Sequence, residues 1–323
     1  MAHEAHDSDT EQPRVSAVDR PDAGTAIEGL PFRSRTLYRG FAAYLDGGGC
    51  RTNCDYDRTD DERLPWDAEG RYGGWGGHEY FGTAPGASRT PVVFVHGNGR
   101  DACDWDPHAE HFLDNGYRGD ELWAITFSET TTGHRAMIEQ LRAFVSRVRA
   151  YAGTDEVAVV AHSLGVTGAR WWLRSYDAHE HVETFVGLAG ANHGLRLGTL
   201  CCQFGMTGGS LAVCRVLRDD YERHADHPLR ALNADETPGD VAYYTIRGTN
   251  DDLFWGCRES PALAGARENL ALPTDHEGAR ASEAAIERVY DWVSPASAPA
   301  SPTPRCSADR VPDPTYRELY GLS

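Results

Sequence analysis

The chain has 323 residues, 40% hydrophobic and 25% charged, enough for one large buried core and unlike collagen, coiled coil or wholly disordered chains. Asp and Glu number 49 against 31 basic residues, a formal net charge of -18. Such a polyanion is repelled by phosphate backbones, which argues against nucleic-acid binding. No stretch approaches the ~18 consecutive apolar residues of a membrane span.

Every basic residue is Arg, and there is no Lys. Acid-rich, Lys-free chains resemble proteins of extreme halophiles. Carboxylates hold hydration in concentrated salt, where the Lys stem would add apolar surface, and molar salt shrinks the Debye length to ~3 Å and removes self-repulsion. The competing explanation is codon bias in a GC-rich genome. Acidic runs such as Asp60-Asp61-Glu62 lack the Gly and spacing of a calcium loop and read as a solvated face.

In chain order, residues 1–35 are a polar, patternless tail with no basic n-region and no apolar h-region. An α/β domain is expected over 36–293, with strands alternating with helices around a mostly parallel sheet, helices on both of its faces. The first apolar run, Val92–Val95, ends at His96-Gly97-Asn98-Gly99, and His108 and His111 fall on the crossover helix that follows. Leu122–Ile125 is a second strand. Met137, Leu141, Phe144, Val145 and Val148 recur at helical spacing. Val157–Ala161 is a buried strand, and a helix begins directly after Ser163. Val182–Leu188 and Val241–Ile246 are later strands, and Ala285, Val289 and Trp292 mark a final helix on the sheet. Residues 294–323 form a Pro/Ser/Ala linker and a short coda.

Ala161-His162-Ser163-Leu164-Gly165 is the G-x-S-x-G nucleophile-elbow pattern with Ala in first place, leaving a strand and entering a helix. A tight turn at Ser163 needs small residues two positions to either side, and Ala161 and Gly165 qualify. Acyl chemistry also needs donors for a developing oxyanion, each supplying roughly 3–4 kcal/mol. The N–H of Leu164, at a helix N-terminus, is one candidate, and the N–H of Asn98 in the loop after the first strand is the other. The orienting acid is expected after the strand at 241–246, where Asp251 and Asp252 compete; Asp251, three residues past Gly248, has the usual spacing. The base is His276, which lies late, after a short strand and before the last helix. His162 is expected to point away beneath the elbow, and His193 either lines the pocket or acts as base.

The motifs Val95–Gly99, Ala161–Gly165 and Leu188–Gly194, together with the late Asp275-His276-x-Gly278, resemble the secreted class 2 lipases of the α/β-hydrolase superfamily over roughly residues 36–293. That group takes in small lidless bacterial lipases and extracellular polyhydroxybutyrate depolymerases. The resemblance implies an α/β-hydrolase fold and cleavage of carboxylic esters through an acyl-enzyme. Ser163 would be nucleophile, Asp251 acid and His276 base, with the Asn98 and Leu164 N–H groups forming the oxyanion hole. It requires no metal or other cofactor. The substrate is an ester, lipid or polyester; a thioesterase, an amidase and an inactive binding protein of the same fold are the competing readings. Residues 195–240 are longer than in the smallest relatives and form either a cap over the acyl site or a structural excursion stapled by a disulfide.

The eight cysteines fit no zinc framework, and none stands beside a general base at the start of a helix. At least one disulfide is expected among Cys201, Cys202, Cys214 and Cys257. That favours export, although the chain shows no signal peptide.

Overall fold

Among the described residues, seven strands form one sheet: β1 Tyr72–Gly76, β2 Val92–Val95, β3 Leu122–Phe127, β4 Val157–His162, β5 Val182–Leu188, β6 Ala242–Gly248 and β7 Glu268–Leu272. Their order across the sheet is β1-β3-β2-β4-β5-β6-β7, parallel throughout except for β1, which runs antiparallel to β3. The helices are α1 His78–Phe81, α2 Asp106–Asp114, α3 His134–Ala152, α4 Leu164–Ser175, α5 Arg196–Gln203, α6 Pro228–Leu232, α7 Gly278–Ala281 and α8 Glu283–Val293. This computed structural model describes residues 54–129, 132–203 and 216–294, all within one compact unit. The expected tail at 1–35 and the segment beyond Ser294 lie outside the described residues, as do positions 204–215 of the 195–240 excursion.

The strand register shows why both faces of the sheet are covered. Phe94, Val160, Val186 and Tyr244 are successive partners from β2 to β6 and so share one face. There Phe94 stacks on Trp105 and meets Phe112 of α2 edge-on, while Tyr244 stacks on Trp292 of α8. Trp123, Val93, Val159 and Phe185 line the other face. On that side Trp123 meets Tyr151 of α3, and Val166 of α4 closes on Gly187. Buried on both sides, β2, β3 and β4 are continuously apolar runs rather than alternating ones. Each large side chain so buried contributes about 1.5–3 kcal/mol.

α3 carries the predicted apolar stripe. Met137, Leu141, Phe144, Val145 and Val148 are all buried, and the helix ends where Gly153 turns left-handed at φ 66° and donates to Arg149 O. β1 has no counterpart among the expected strands. Its Tyr-Gly-Gly-Trp-Gly sequence has little strand propensity, and pairing with β3 makes it a strand.

The described residues hold a disulfide, Cys54–Cys103, across 49 positions, and it is not one of those expected. Cys257 is a free thiol; the side chain of Cys201, and all of Cys214, lie outside the described residues. Pairing follows proximity in the fold, which sequence spacing does not report.

Candidate active site

The chemistry-bearing loops leave the same edge of the sheet because their strands are parallel. β4 ends at His162, and Ser163 turns the chain at φ 54° and ψ -122° before α4 starts at Leu164. That backbone state is unfavourable for a non-glycine residue and costs of order 1–3 kcal/mol, borne by the packing around it. The Ser163 N–H donates to Leu188 O at 2.8 Å, fixing the turn to β5. A Cβ on Gly165 would stand 2.5 Å from His96 O, so the elbow needs its small residue there. Leu164, first in its helix, has an N–H with no carbonyl one turn earlier.

The loop after β2 lies against this turn. A Cβ on Gly97 would stand 2.9 Å from the Ser163 Cβ. His96 anchors the loop: Nδ1 donates to Gly97 O at 2.7 Å, and Nε2 accepts from the Phe127 N–H at 3.0 Å. Burial holds His96 down at about 3, so its ring is neutral and the two hydrogen bonds define one tautomer. Asn98 is buried in the same loop, and neither atom of its carboxamide has a hydrogen-bond partner among the described residues.

Asp251 follows β6 and is 1% exposed. Its Oδ1 accepts from the Leu253 N–H at 3.0 Å, and its Oδ2 lies 2.7 Å from His276 Nδ1. His276 Nε2 lies 2.9 Å from Ser163 Oγ. Asp252 is exposed, and of the two it is Asp251 that lies within hydrogen-bond distance of His276. Two backbone bonds, Thr249 N–H to Leu272 O and Asn250 N–H to Thr274 O, bind the loop of Asp251 to the loop of His276.

Some residues of the site escaped the sequence reading. His162 does lie beneath the elbow, but it is not idle: Nε2 donates to the backbone carbonyl of His276 at 3.2 Å, and the two rings are 4.9 Å apart. Burial keeps His162 well below its ordinary value, hence neutral. Glu277, next to His276, pairs with Arg100 at 2.8 Å and Arg280 at 3.2 Å, and Arg100 reaches Asp104 at 3.5 Å. Burial alone would raise the Glu277 carboxyl; the guanidinium groups of Arg100 and Arg280 beside it more than offset this and hold it below the usual carboxylate range. His193 is bound between Ser260 O at 3.1 Å and Glu236 at 3.0 Å. These bonds brace the loop after β5.

Among the described residues, the cluster with metal-ligand chemistry is Cys54, Asp101 and Cys103. Its two sulfurs are joined to each other, leaving no thiolate to offer a metal. Among those residues no helix is long and apolar enough to cross a membrane.

Among solved structures the chain is similar to a Bacillus licheniformis lipase in mature form, at 19% identity over 60% of this chain and 87% of that one, with a TM-score of 0.45. It is also similar to a Bacillus subtilis carboxylesterase at 14% identity, covering 65% and 85% of the two chains with a TM-score of 0.41. A Paleococcus ferrophilus monoacylglycerol lipase matches at 12% identity over 64% and 95%, with a TM-score of 0.44. The sequence model of the class 2 lipases matches residues 89–289 and spans the loop after β2, the elbow and both later loops. The chain therefore belongs to the class 2 lipases, has the α/β-hydrolase fold, and is a carboxylic ester hydrolase.

Proposed function

We propose that the enzyme cleaves esters through a Ser163–His276–Asp251 triad and an acyl-enzyme. The observation that carries this reading is the unbroken path from Asp251 Oδ2 to His276 Nδ1 at 2.7 Å and from His276 Nε2 to Ser163 Oγ at 2.9 Å. Asp251 accepts from Nδ1–H and so leaves Nε2 free to take the Ser163 proton as Oγ attacks the ester carbonyl. The Asn98 and Leu164 N–H groups receive the oxyanion; collapse expels the alcohol, which takes its proton from His276. Water then enters with His276 again as base and releases the acid. The acyl part is a fatty or short-chain acid. Polyhydroxyalkanoate is the polymeric alternative.

Hydrolysis of p-nitrophenyl butyrate and palmitate in molar salt, beside Ser163→Ala, tests this. Turnover lost in the variant is the expected result, and the chain-length ratio separates esterase from lipase. Equal inertness of both proteins, with a polyhydroxybutyrate suspension left intact, overturns it and moves a thioester, amide or binding role forward.

The net charge of -18 and the absence of Lys support a halophilic setting, and the Cys54–Cys103 disulfide supports an oxidising compartment outside the cytoplasm. Folding and activity are expected to need molar salt. Full activity and unchanged circular dichroism in salt-free buffer defeat that expectation.

A further inference from the structure

We propose that Arg58, on a strap that precedes the family-matched region, is a positioning residue that fixes the oxyanion loop. This rests on the reading of residues 96–100 as that loop. The Arg58 side chain bridges two carbonyls: Nη2 donates to Arg100 O at 2.7 Å and Nε donates to Phe127 O at 3.0 Å. Arg100 closes the loop, and Phe127 ends β3. The N–H of the same Phe127 donates to His96, which opens the loop. Both ends of the loop are thus referred to one residue of the sheet, at its start through His96 and at its end through Arg58. Asn98, whose N–H is to meet the oxyanion, hangs between these two fixed points.

The strap that carries Arg58 is itself held. Cys54 is bonded to Cys103, and the N–H groups of Cys54 and Cys103 both donate to the Asp101 carboxylate, at 3.2 and 3.0 Å. The carbonyls of Arg58 and Asp60 stand 2.5 Å from where a Gly73 Cβ would be, so the strap lies directly on β1. Bridging two carbonyls calls for two donors on one rigid plane, which a guanidinium supplies and an ammonium does not. The family-matched segment begins at residue 89, so it contains the loop and not the clamp that fixes it.

The test uses the full chain with p-nitrophenyl butyrate as substrate and an alkyl trifluoromethyl ketone as inhibitor. Rates of proteins that keep Ser163 are expressed per active site counted by organophosphate titration, and that of Ser163→Ala per mole of folded protein. The ketone accepts Ser163 Oγ at its carbonyl carbon, its oxygen becomes the oxyanion, and the serine proton passes to His276. Its affinity therefore reads the oxyanion donors directly. Misplacing such a donor costs up to ~100-fold, so Arg58→Met is expected to lower kcat by ~10–100-fold with KM within ~3-fold. Ketone affinity falls by the same factor, and Arg58→Lys, which reaches one carbonyl, recovers part of both. Cys54→Ser combined with Cys103→Ser weakens kcat and ketone affinity in the same direction. Unchanged kcat and ketone affinity in Arg58→Met, even with a lower melting temperature, overturns the proposal. So does a fall in kcat that leaves ketone affinity intact. Retained turnover in Ser163→Ala overturns the triad reading and the clamp with it; full loss there beside an unaffected Arg58→Met overturns the clamp alone.

Discussion

Asp251→Asn lowers kcat by ~10⁴-fold, while Asp252→Asn leaves it within about twofold. The Asp251 carboxylate is 1% exposed and accepts at 2.7 Å from His276 Nδ1, so it decides which imidazole nitrogen carries the proton. An amide in its place can present its NH₂ to Nδ1. The ring proton then moves to Nε2, the atom 2.9 Å from Ser163 Oγ, and the base can no longer accept. The side chain keeps its size, and the Leu253 N–H still finds an oxygen, so the fold survives and the loss falls on kcat. Asp252 is exposed and makes no contact with His276 among the described side-chain bonds. Steady-state kinetics of both variants, with melting temperatures alongside, checks this. Activity retained in Asp251→Asn and lost in Asp252→Asn reverses the assignment.

Mild acid unfolds the protein with net proton uptake. Burial holds His96, His108 and His134 down at about 3 and His162 well below its ordinary value. In the unfolded chain each of these titrates near 6.5. Below that pH the unfolded form binds protons that the folded form refuses, so His96, His108 and His134 each remove about 1.4 kcal/mol of stability per pH unit between roughly 6.5 and 3, and His162 acts in the same sense. Asp104 and Asp106 act in the opposite sense. Burial raises both to about 6, so the folded form takes their protons first and gains stability as the pH falls from there towards 3.8. Near pH 5 the two effects offset in part; below about 4 the histidines are joined by Glu277, Asp120, Asp220 and Glu236, whose carboxyls are all held below their ordinary range.

Stability measured by denaturant titration is therefore expected to fall from pH 6.5 downward, with a slope that eases between about 6 and 4 and steepens again below 4. His108 offers a check, because neither of its ring nitrogens has a partner among the described residues and its ring lies against Phe94 and Trp105. His108→Leu removes that orphaned polarity. It is expected to raise stability by about 1–2 kcal/mol at neutral pH and to flatten the acid slope by about one proton. A pH-independent stability between 7 and 4 contradicts the scheme.

What was legible in the sequence was local. A run such as Val157–Ala161 followed by Ser163 and a helix specifies strand, turn and nucleophile within about a dozen residues, and parallel strands then bring the later loops to the same edge. Asp251 and His276 could be placed because each closes a loop that leaves a strand on that edge. Contacts made only in three dimensions were not legible. Nothing near Cys54 points to Cys103, and nothing near Arg58 points to the carbonyls of Arg100 and Phe127. His162 looked like a bystander because its partner is a backbone oxygen 114 positions away. β1 stayed hidden because three glycines in five residues erase propensity, and only the β3 ladder restores it.

The order of strands also sets the order in which heat dismantles the machinery. Ser163 hangs from β4, wholly buried between β2 and β5, whereas His276 follows β7, the half-exposed last strand with a single neighbour. Border strands fray at a lower cost than the centre of a sheet. With the proposed triad, warming is therefore expected to loosen His276 while Ser163 is still in place, so that activity is lost at a lower temperature than the fold.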